Sequence, residues 1–67
     1  MEISARNQLS GTVIAVRIEG IMAEVTLEIS GQFITSTITR ASAERLGLKL
    51  GDTAVAIIKA SDVLIGK

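Results

Sequence analysis

The chain has 67 residues, of which 48% are apolar, and it carries seven basic and seven acidic side chains but no His and no Cys. Zero net charge provides no basic field to attract nucleic acid or an anionic membrane, and Phe33 is the one aromatic residue available for stacking on bases. Because disulfides and the usual zinc sites are excluded, so small a domain is expected to bury part of its apolar surface against other subunits.

The first two predicted strands differ in their pattern. The run 9–18 is rich in β-branched residues and predicts a strand, with Gly11 as a bend or a point of close approach. After a turn at 19–20, the run 21–29 alternates between apolar and polar residues except at Met22. This alternation predicts a second strand with one polar face. Its inward-facing residues are expected to be Ile21, Ala23, Val25, Leu27 and Ile29.

A tight turn and a change of period follow the second strand. The turn at 30–31 leads to a third strand, 32–39, so the second and third strands are predicted to form a hairpin. The pattern then changes to that of a short helix over 41–46. Thr39 is suited to cap the start of this helix, and Gly47 is suited to the left-handed position that ends it.

The remainder of the chain predicts two more strands. Leu48 and Leu50 are expected to pack on the core, and the run 53–60 predicts a fourth strand. After a break, the run 63–65 predicts a short fifth strand. We therefore predict one domain, 1–67, that is all-β with one short helix. The order β1-β2-β3-α-β4-β5 is that of a five-stranded OB-like barrel.

Catalysis is poorly supported by the residue types present. The chain has no His, Cys or Tyr to act as, or to activate, a nucleophile. Glu24 and Glu28 share a strand face, but their spacing is better explained by a solvated face than by acid–base chemistry. Glu44 and Arg45 are expected to be exposed helix residues. The sequence therefore predicts a binding protein and not an enzyme.

Three polar segments remain, and each has an ordinary explanation when it is taken alone. Residues 4–6 could be a solvated terminus, residues 39–42 an ordinary helix cap, and Lys59 the point where a buried strand reaches water. Together they offer hydroxyl groups, unpaired N–H groups at a helix start and two cations. This set of donors suits a tetrahedral oxyanion, and the residues alone do not distinguish among such ions, sulfate and phosphate included.

Three motifs, SARNQLSGTV, ITSTITRASAERLGLKLGD and AVAIIKASDV, resemble those of the molbindins, the small Mop-like molybdenum-binding proteins. The resemblance covers essentially the whole chain. It implies an OB-like fold and a homo-hexamer that is a trimer of dimers. It also implies that molybdate, or its near-isostere tungstate, binds at the subunit interfaces.

The resemblance further implies which residues hold the anion. The donors come from two subunits and comprise hydroxyls, cations and backbone N–H groups. One subunit contributes the side chains of Ser4, Arg6 and Lys59 and the N–H groups of Ala5 and Ala60. The neighbouring subunit contributes the hydroxyl groups of Thr39 and Ser42.

The sequence shows no targeting signal, and its composition bears on two alternative functions. The N-terminus lacks a signal-peptide pattern and no apolar run approaches the length of a bilayer span, which predicts a cytoplasmic protein without a membrane partner. The alternative functions are nucleic-acid binding, the commonest use of small OB barrels, and a purely structural interaction module. Zero net charge and a single aromatic residue disfavour nucleic-acid binding.

Overall fold

The computed structural model describes residues 3–67, so the first two residues of the predicted domain lie outside the described part. The described chain forms one antiparallel sheet in the order β3-β2-β1-β4, with a short helix between β3 and β4 and a 3₁₀ turn after β4. None of the helices in this part is long and apolar enough to cross a membrane. The order of these elements confirms the predicted mostly-β fold with one short α-helix. The bounds are β1 Asn7–Glu19, β2 Met22–Ile29, β3 Gln32–Thr39, α1 Arg40–Leu46, β4 Thr53–Ile58 and the 3₁₀ turn Ala60–Asp62.

The longest strand, β1, organises the sheet because it changes partner along its length. Its N-terminal half pairs with β4, and from Thr12 onward it pairs with β2. Next to this change Gly11 lies against β2, where an added Cβ would be 2.6 Å from the Glu28 carbonyl oxygen and 2.6 Å from Ile29 Cγ1. The role predicted for Gly11 as a point of close approach is confirmed. The sheet curls because one strand serves both halves.

The predicted hairpin is formed by β2 and β3. Their register ends with Ile29 opposite Gln32, which leaves a two-residue turn. Ser30 and Gly31 in this turn have φ values of 51° and 81°. Two left-handed residues are the signature of a type I′ turn, whose twist matches that of the flanking strands.

The inward face of β2 follows the predicted alternation in all but one residue. Ile29 is half-buried, but Ile21 is 81% exposed, so its predicted inward orientation is wrong. Ile21 lies in the turn between β1 and β2, and the alternation therefore starts only after it. The fully buried residues of β2 are Ala23, Val25 and Leu27.

Both predicted ends of α1 are confirmed. At the N-terminus the Thr39 hydroxyl oxygen accepts the N–H of Ser42 at 3.1 Å. At the C-terminus Gly47 has a φ of 63°, and its N–H donates to the Glu44 carbonyl at 3.0 Å. Ala43 is the residue through which the helix is buried. The two caps satisfy terminal groups that a helix of one to two turns cannot satisfy internally.

The hydrophobic core is small, as expected for this chain length. Leu48 packs against it as predicted, whereas Leu50 lies in a turn and is 69% exposed, so that prediction is wrong. The centre of the core consists of Val13, Val25 and Leu27. Large apolar residues that stay more than a third exposed in the described chain include Leu9, Ile18, Ile57, Val63, Leu64 and Ile65. This much exposed apolar surface is typical of a chain that associates.

The predicted fifth strand, 63–65, is not formed within the described chain. Strand β4 ends at Ile58 and not at residue 60 as predicted, because the ladder to β1 ends with the pair Asn7–Ile58 and a 3₁₀ turn begins at Ala60. Beyond it the backbone at Val63 is extended, with φ −91° and ψ 119°, but residues 63–67 pair with no strand. Leu64 and Ile65 are 93% and 89% exposed. The described sheet therefore has four strands, and β3 and β4 are its two edges.

We predict that Gly11→Ala lowers the free energy of unfolding by about 1–3 kcal/mol, because the new methyl group overpacks the backbone of β2. Denaturant unfolding at fixed chain concentration measures the loss. Gly66→Ala is the matched control, since nothing lies within 4 Å of a Cβ at that position. Equal stabilities of the two variants would contradict the close approach.

Candidate functional site

Two basic residues lie side by side at the end of the β1–β4 ladder. Its last pair places Asn7 opposite Ile58. Arg6 immediately precedes Asn7, and Lys59 immediately follows Ile58. Antiparallel pairing therefore brings two basic residues that are far apart in the sequence to the same end of the β1–β4 ladder.

An open pocket lies between these two chain segments. Its lining residues carry hydroxyl groups, cations and backbone N–H groups, and none of them is acidic. Ala5 is half-buried, and the others are exposed to an incoming ion. The structure thus brings together in one pocket the five residues predicted for the principal subunit, and Ser61, which was not predicted, lines it as well. The lining residues are Ser4, Ala5, Arg6, Lys59, Ala60 and Ser61.

The 3₁₀ turn orients backbone donors at this pocket. The N–H of Asp62 donates to the Lys59 carbonyl at 2.9 Å, which closes the turn. The first N–H groups of a helical turn have no acceptor inside it, and here they belong to Ala60 and Ser61. The turn therefore explains why backbone N–H groups are available beside Lys59. Residues 59–61 read KAS, and this triplet was the only sequence signal for Ser61.

The other two predicted donors, Thr39 and Ser42, lie at the start of α1 and do not line this pocket within one chain. The Thr39 hydroxyl donates to Ser42 Oγ at 2.8 Å. Arg45 Nη2 donates to the same oxygen at 3.4 Å. With two protons accepted, Ser42 Oγ directs its own proton toward a further acceptor. This second cluster therefore also presents a donor, and Arg45, predicted only as an exposed helix residue, adds a cation to it.

The cations of both clusters form no ion pair with the described residues. The two ion pairs of the described residues join Arg17 to Glu19 at 3.1 Å and Arg40 to Glu44 at 3.4 Å. The cations of the two clusters take part in neither pair. An arrangement of donors and uncompensated positive charge is suited to an anion, since charge-assisted hydrogen bonds are stronger than neutral ones.

Comparison with known proteins identifies relatives along the whole chain. The family model described as TOBE domain matches residues 3–65. Molybdenum-pterin-binding protein 3 of Clostridium pasteurianum is 52% identical over 66 residues, which is 97% of each chain. A molybdate-binding protein from Sporomusa ovata is 33% identical, with a TM-score of 0.95 over 100% of both chains. The cytoplasmic molybdate-binding protein ModG, solved with molybdate bound, is 46% identical with a TM-score of 0.90 over 96% of this chain and 46% of its own.

We predict that Thr39→Val lowers the free energy of unfolding by about 1 kcal/mol, because the isosteric side chain cannot cap α1. Chemical unfolding without any oxyanion measures this effect apart from ligand binding. Thr37→Val on the same strand is the control, since the Thr37 hydroxyl makes no hydrogen bond to the described residues. A Thr39→Val protein as stable as the control would show that the cap is energetically unimportant.

Proposed function

Because this chain belongs to the TOBE-domain family and, within it, to the small molybdenum-pterin-binding (Mop-like) proteins, we propose that it binds molybdate and serves to store and buffer this anion. The role is one of binding and not of catalysis. Two solved relatives are described as molybdate-binding proteins, and one of them was solved with molybdate bound. We also propose a cytoplasmic location, which is the location stated for ModG.

The observation that carries this proposal is the pocket at the end of the β1–β4 ladder. Arg6 and Lys59 supply two positive charges for a dianion, and Ser4 supplies a hydroxyl donor beside them. A tetrahedral dianion offers four acceptor oxygens and no proton, so every oxygen can accept from the pocket's donors. Tungstate has nearly the same size and charge as molybdate, and we propose that it binds in the same way.

The bare oxyanion fits the pocket better than a molybdenum–pterin complex. A pterin ring is commonly recognised by stacking on an aromatic side chain and by an apolar cleft. Phe33 is the one aromatic residue, and it lies at the hairpin end of β3, outside the pocket lining. We therefore propose that the ion alone is the ligand.

We propose that the second half of the site comes from a neighbouring subunit. Thr39 and Ser42 present hydroxyl groups, yet they do not line the pocket of their own chain. A copy docked with its α1 start against the pocket would add the proton of Ser42 and the cation of Arg45 to the ion's donors. The Thr39 hydroxyl would join them by turning its proton from Ser42 Oγ to the ion. The proposed site then contains Ser4, Ala5, Arg6, Lys59, Ala60 and Ser61 of one subunit and Thr39 and Ser42 of the next.

The apolar surface supports the same assembly. An apolar groove of about 390 Å³ lies between the edge strands β3 and β4. Residues 63–65 are apolar and exposed and pair with no strand of the described chain, and the backbone at Val63 is extended. We propose that this segment of one subunit enters the groove of another, so that each five-stranded OB-like barrel is completed between copies. Repetition of both contacts would build the homo-hexamer, a trimer of dimers. The groove-lining residues include Val25, Leu27, Ile34, Ile38, Leu46, Leu48, Val55 and Ile57.

We predict that Arg6→Ala weakens molybdate binding about 10- to 100-fold, the range expected for a lost charge-assisted hydrogen bond. Isothermal titration calorimetry measures the dissociation constant. Native mass spectrometry of the same samples reports the number of subunits and the number of bound ions. Arg17→Ala is the matched control because Arg17 pairs with Glu19 on the other half of β1.

Three outcomes would contradict the proposal. Unchanged affinity in Arg6→Ala would remove the residue from the site. A hexamer that binds no molybdate would indicate a purely structural module. A monomer that binds molybdate as tightly as the hexamer would exclude a site shared between subunits.

We predict that phosphate competes poorly with molybdate at neutral pH. Hydrogen phosphate carries a proton that needs an acceptor, and none of the residues lining the pocket is a carboxylate. Sulfate is the control because it is a smaller dianion without a proton. Displacement of bound molybdate is followed by calorimetry at constant ionic strength. Competition by phosphate that matches or exceeds competition by sulfate would contradict the view that the missing carboxylate acceptor excludes phosphate.

A further inference from the structure

We propose that Asn7 and Gln8 are positioning residues of the oxyanion site, an inference that rests on the proposed function. Neither residue lines the pocket. Their side-chain amides instead bind backbone carbonyls of the two segments that carry Ser4, Arg6 and Lys59. The motif SARNQ thus has two parts. Residues 4–6 face the ion, and Asn7 and Gln8 hold the ion-binding segments in place.

Asn7 fixes the segment that carries Lys59. Its Nδ2 donates to the carbonyl oxygen of Ile58 at 3.2 Å, across 51 residues of sequence, in a partly buried position. That carbonyl belongs to the peptide group that precedes Lys59. The carbonyl of Lys59 itself accepts the N–H of Asp62 at 2.9 Å. Because peptide groups are planar, hydrogen bonds on both sides of Lys59 restrict the direction in which its side chain leaves the backbone.

Gln8 fixes the segment that carries Ser4 and Arg6. Its Nε2 donates to the Ala5 carbonyl at 3.0 Å and also contacts the Ile3 carbonyl at 3.5 Å. These two carbonyls lie on either side of Ser4, so the segment is folded against the start of β1. In a trans peptide the N–H points opposite to the carbonyl, and binding of the carbonyls to Gln8 therefore turns the N–H groups of Ser4 and Arg6 away from it.

Both contacts serve an anion site for the same physical reason. A carbonyl oxygen that faced the ion would repel it, and here Gln8 and Asn7 engage such oxygens instead. Holding the donors in place before the ion arrives also reduces the ordering entropy that binding must overcome. This effect matters most for residues 3–6, which precede the first strand and have no ladder to order them.

The test compares Gln8→Met, Asn7→Leu and a control in the full-length assembled protein. Gln8→Met keeps the chain length of the side chain and removes its donors. Gln32→Met is the matched control on β3, since Gln32 does not line the pocket. We expect each of the first two variants to raise the dissociation constant for sodium molybdate about fivefold to tenfold, the range for one lost hydrogen bond, and the control to leave it unchanged. Asn7→Ser, whose side chain is too short to reach Ile58, replaces Asn7→Leu if the latter fails to assemble.

A double-mutant cycle separates positioning from a general loss of stability. If Gln8 acts through the residues that touch the ion, Gln8→Met changes the affinity of Arg6→Ala less than it changes that of the wild type. An equal fold-change in both backgrounds overturns the proposal. Unchanged affinity in both Gln8→Met and Asn7→Leu also overturns it.

A measurement without ligand distinguishes failure of this proposal from failure of the proposed function. Backbone ¹⁵N relaxation of the anion-free protein reports the mobility of individual amides. Gln8→Met is expected to increase the mobility of residues 3–6, and Asn7→Leu that of residues 59–61, relative to Gln32→Met. If the wild type binds no molybdate, the proposed function is wrong whatever the relaxation shows. If the wild type binds but neither segment becomes more mobile, positioning by Asn7 and Gln8 is wrong.

Discussion

The pairing of β1 with β4 is the interaction on which the rest of this molecule depends. It joins the two ends of the chain, and its last pair, Asn7 with Ile58, sets Arg6 beside Lys59. The same strand pairs with β2 in its second half, so the site and the core share one element. A shift of the β1–β4 register by one residue would move every side chain of that half to the opposite face and would separate the two cations from their common edge.

A second constraint is the small size of the hydrophobic core. Residues 3–67 bury only a few apolar side chains completely, while the apolar segment 63–65 and an apolar groove between β3 and β4 remain open to solvent. A second copy of the chain could cover these apolar surfaces, and it could also supply the oxyanion donors that do not line the pocket within one chain. In the proposed assembly, association that hides the apolar surface would also bring hydroxyl groups to the pocket, so assembly and ion binding would stabilise each other by mass action.

The chemistry of the site follows from what it contains and from what is kept out of it. Hydroxyl, amide and cationic groups all donate, and none of the residues that line the pocket is acidic. Even the uncharged residues of the SARNQ motif contribute, since the amides of Asn7 and Gln8 bind carbonyl oxygens near the site. Such a surface distinguishes anions by their need for a proton acceptor as well as by their charge.

Local features of this fold were determined by the sequence alone. The alternation in β2, the turn at Ser30-Gly31 and the caps at Thr39 and Gly47 depend on neighbouring residues, and the structure confirms them. The residue types likewise indicated an oxyanion and association, whereas molybdate and the individual ligands came from family resemblance. Tertiary structure decided the exposure of Ile21, the absence of a fifth strand within the described chain, and the partners of Asn7 and Gln8. The reason is that a period of two in the sequence identifies a strand but does not identify the strand with which it pairs. Asn7 and Ile58 are separated by 51 residues in the sequence, so no local pattern could predict their contact.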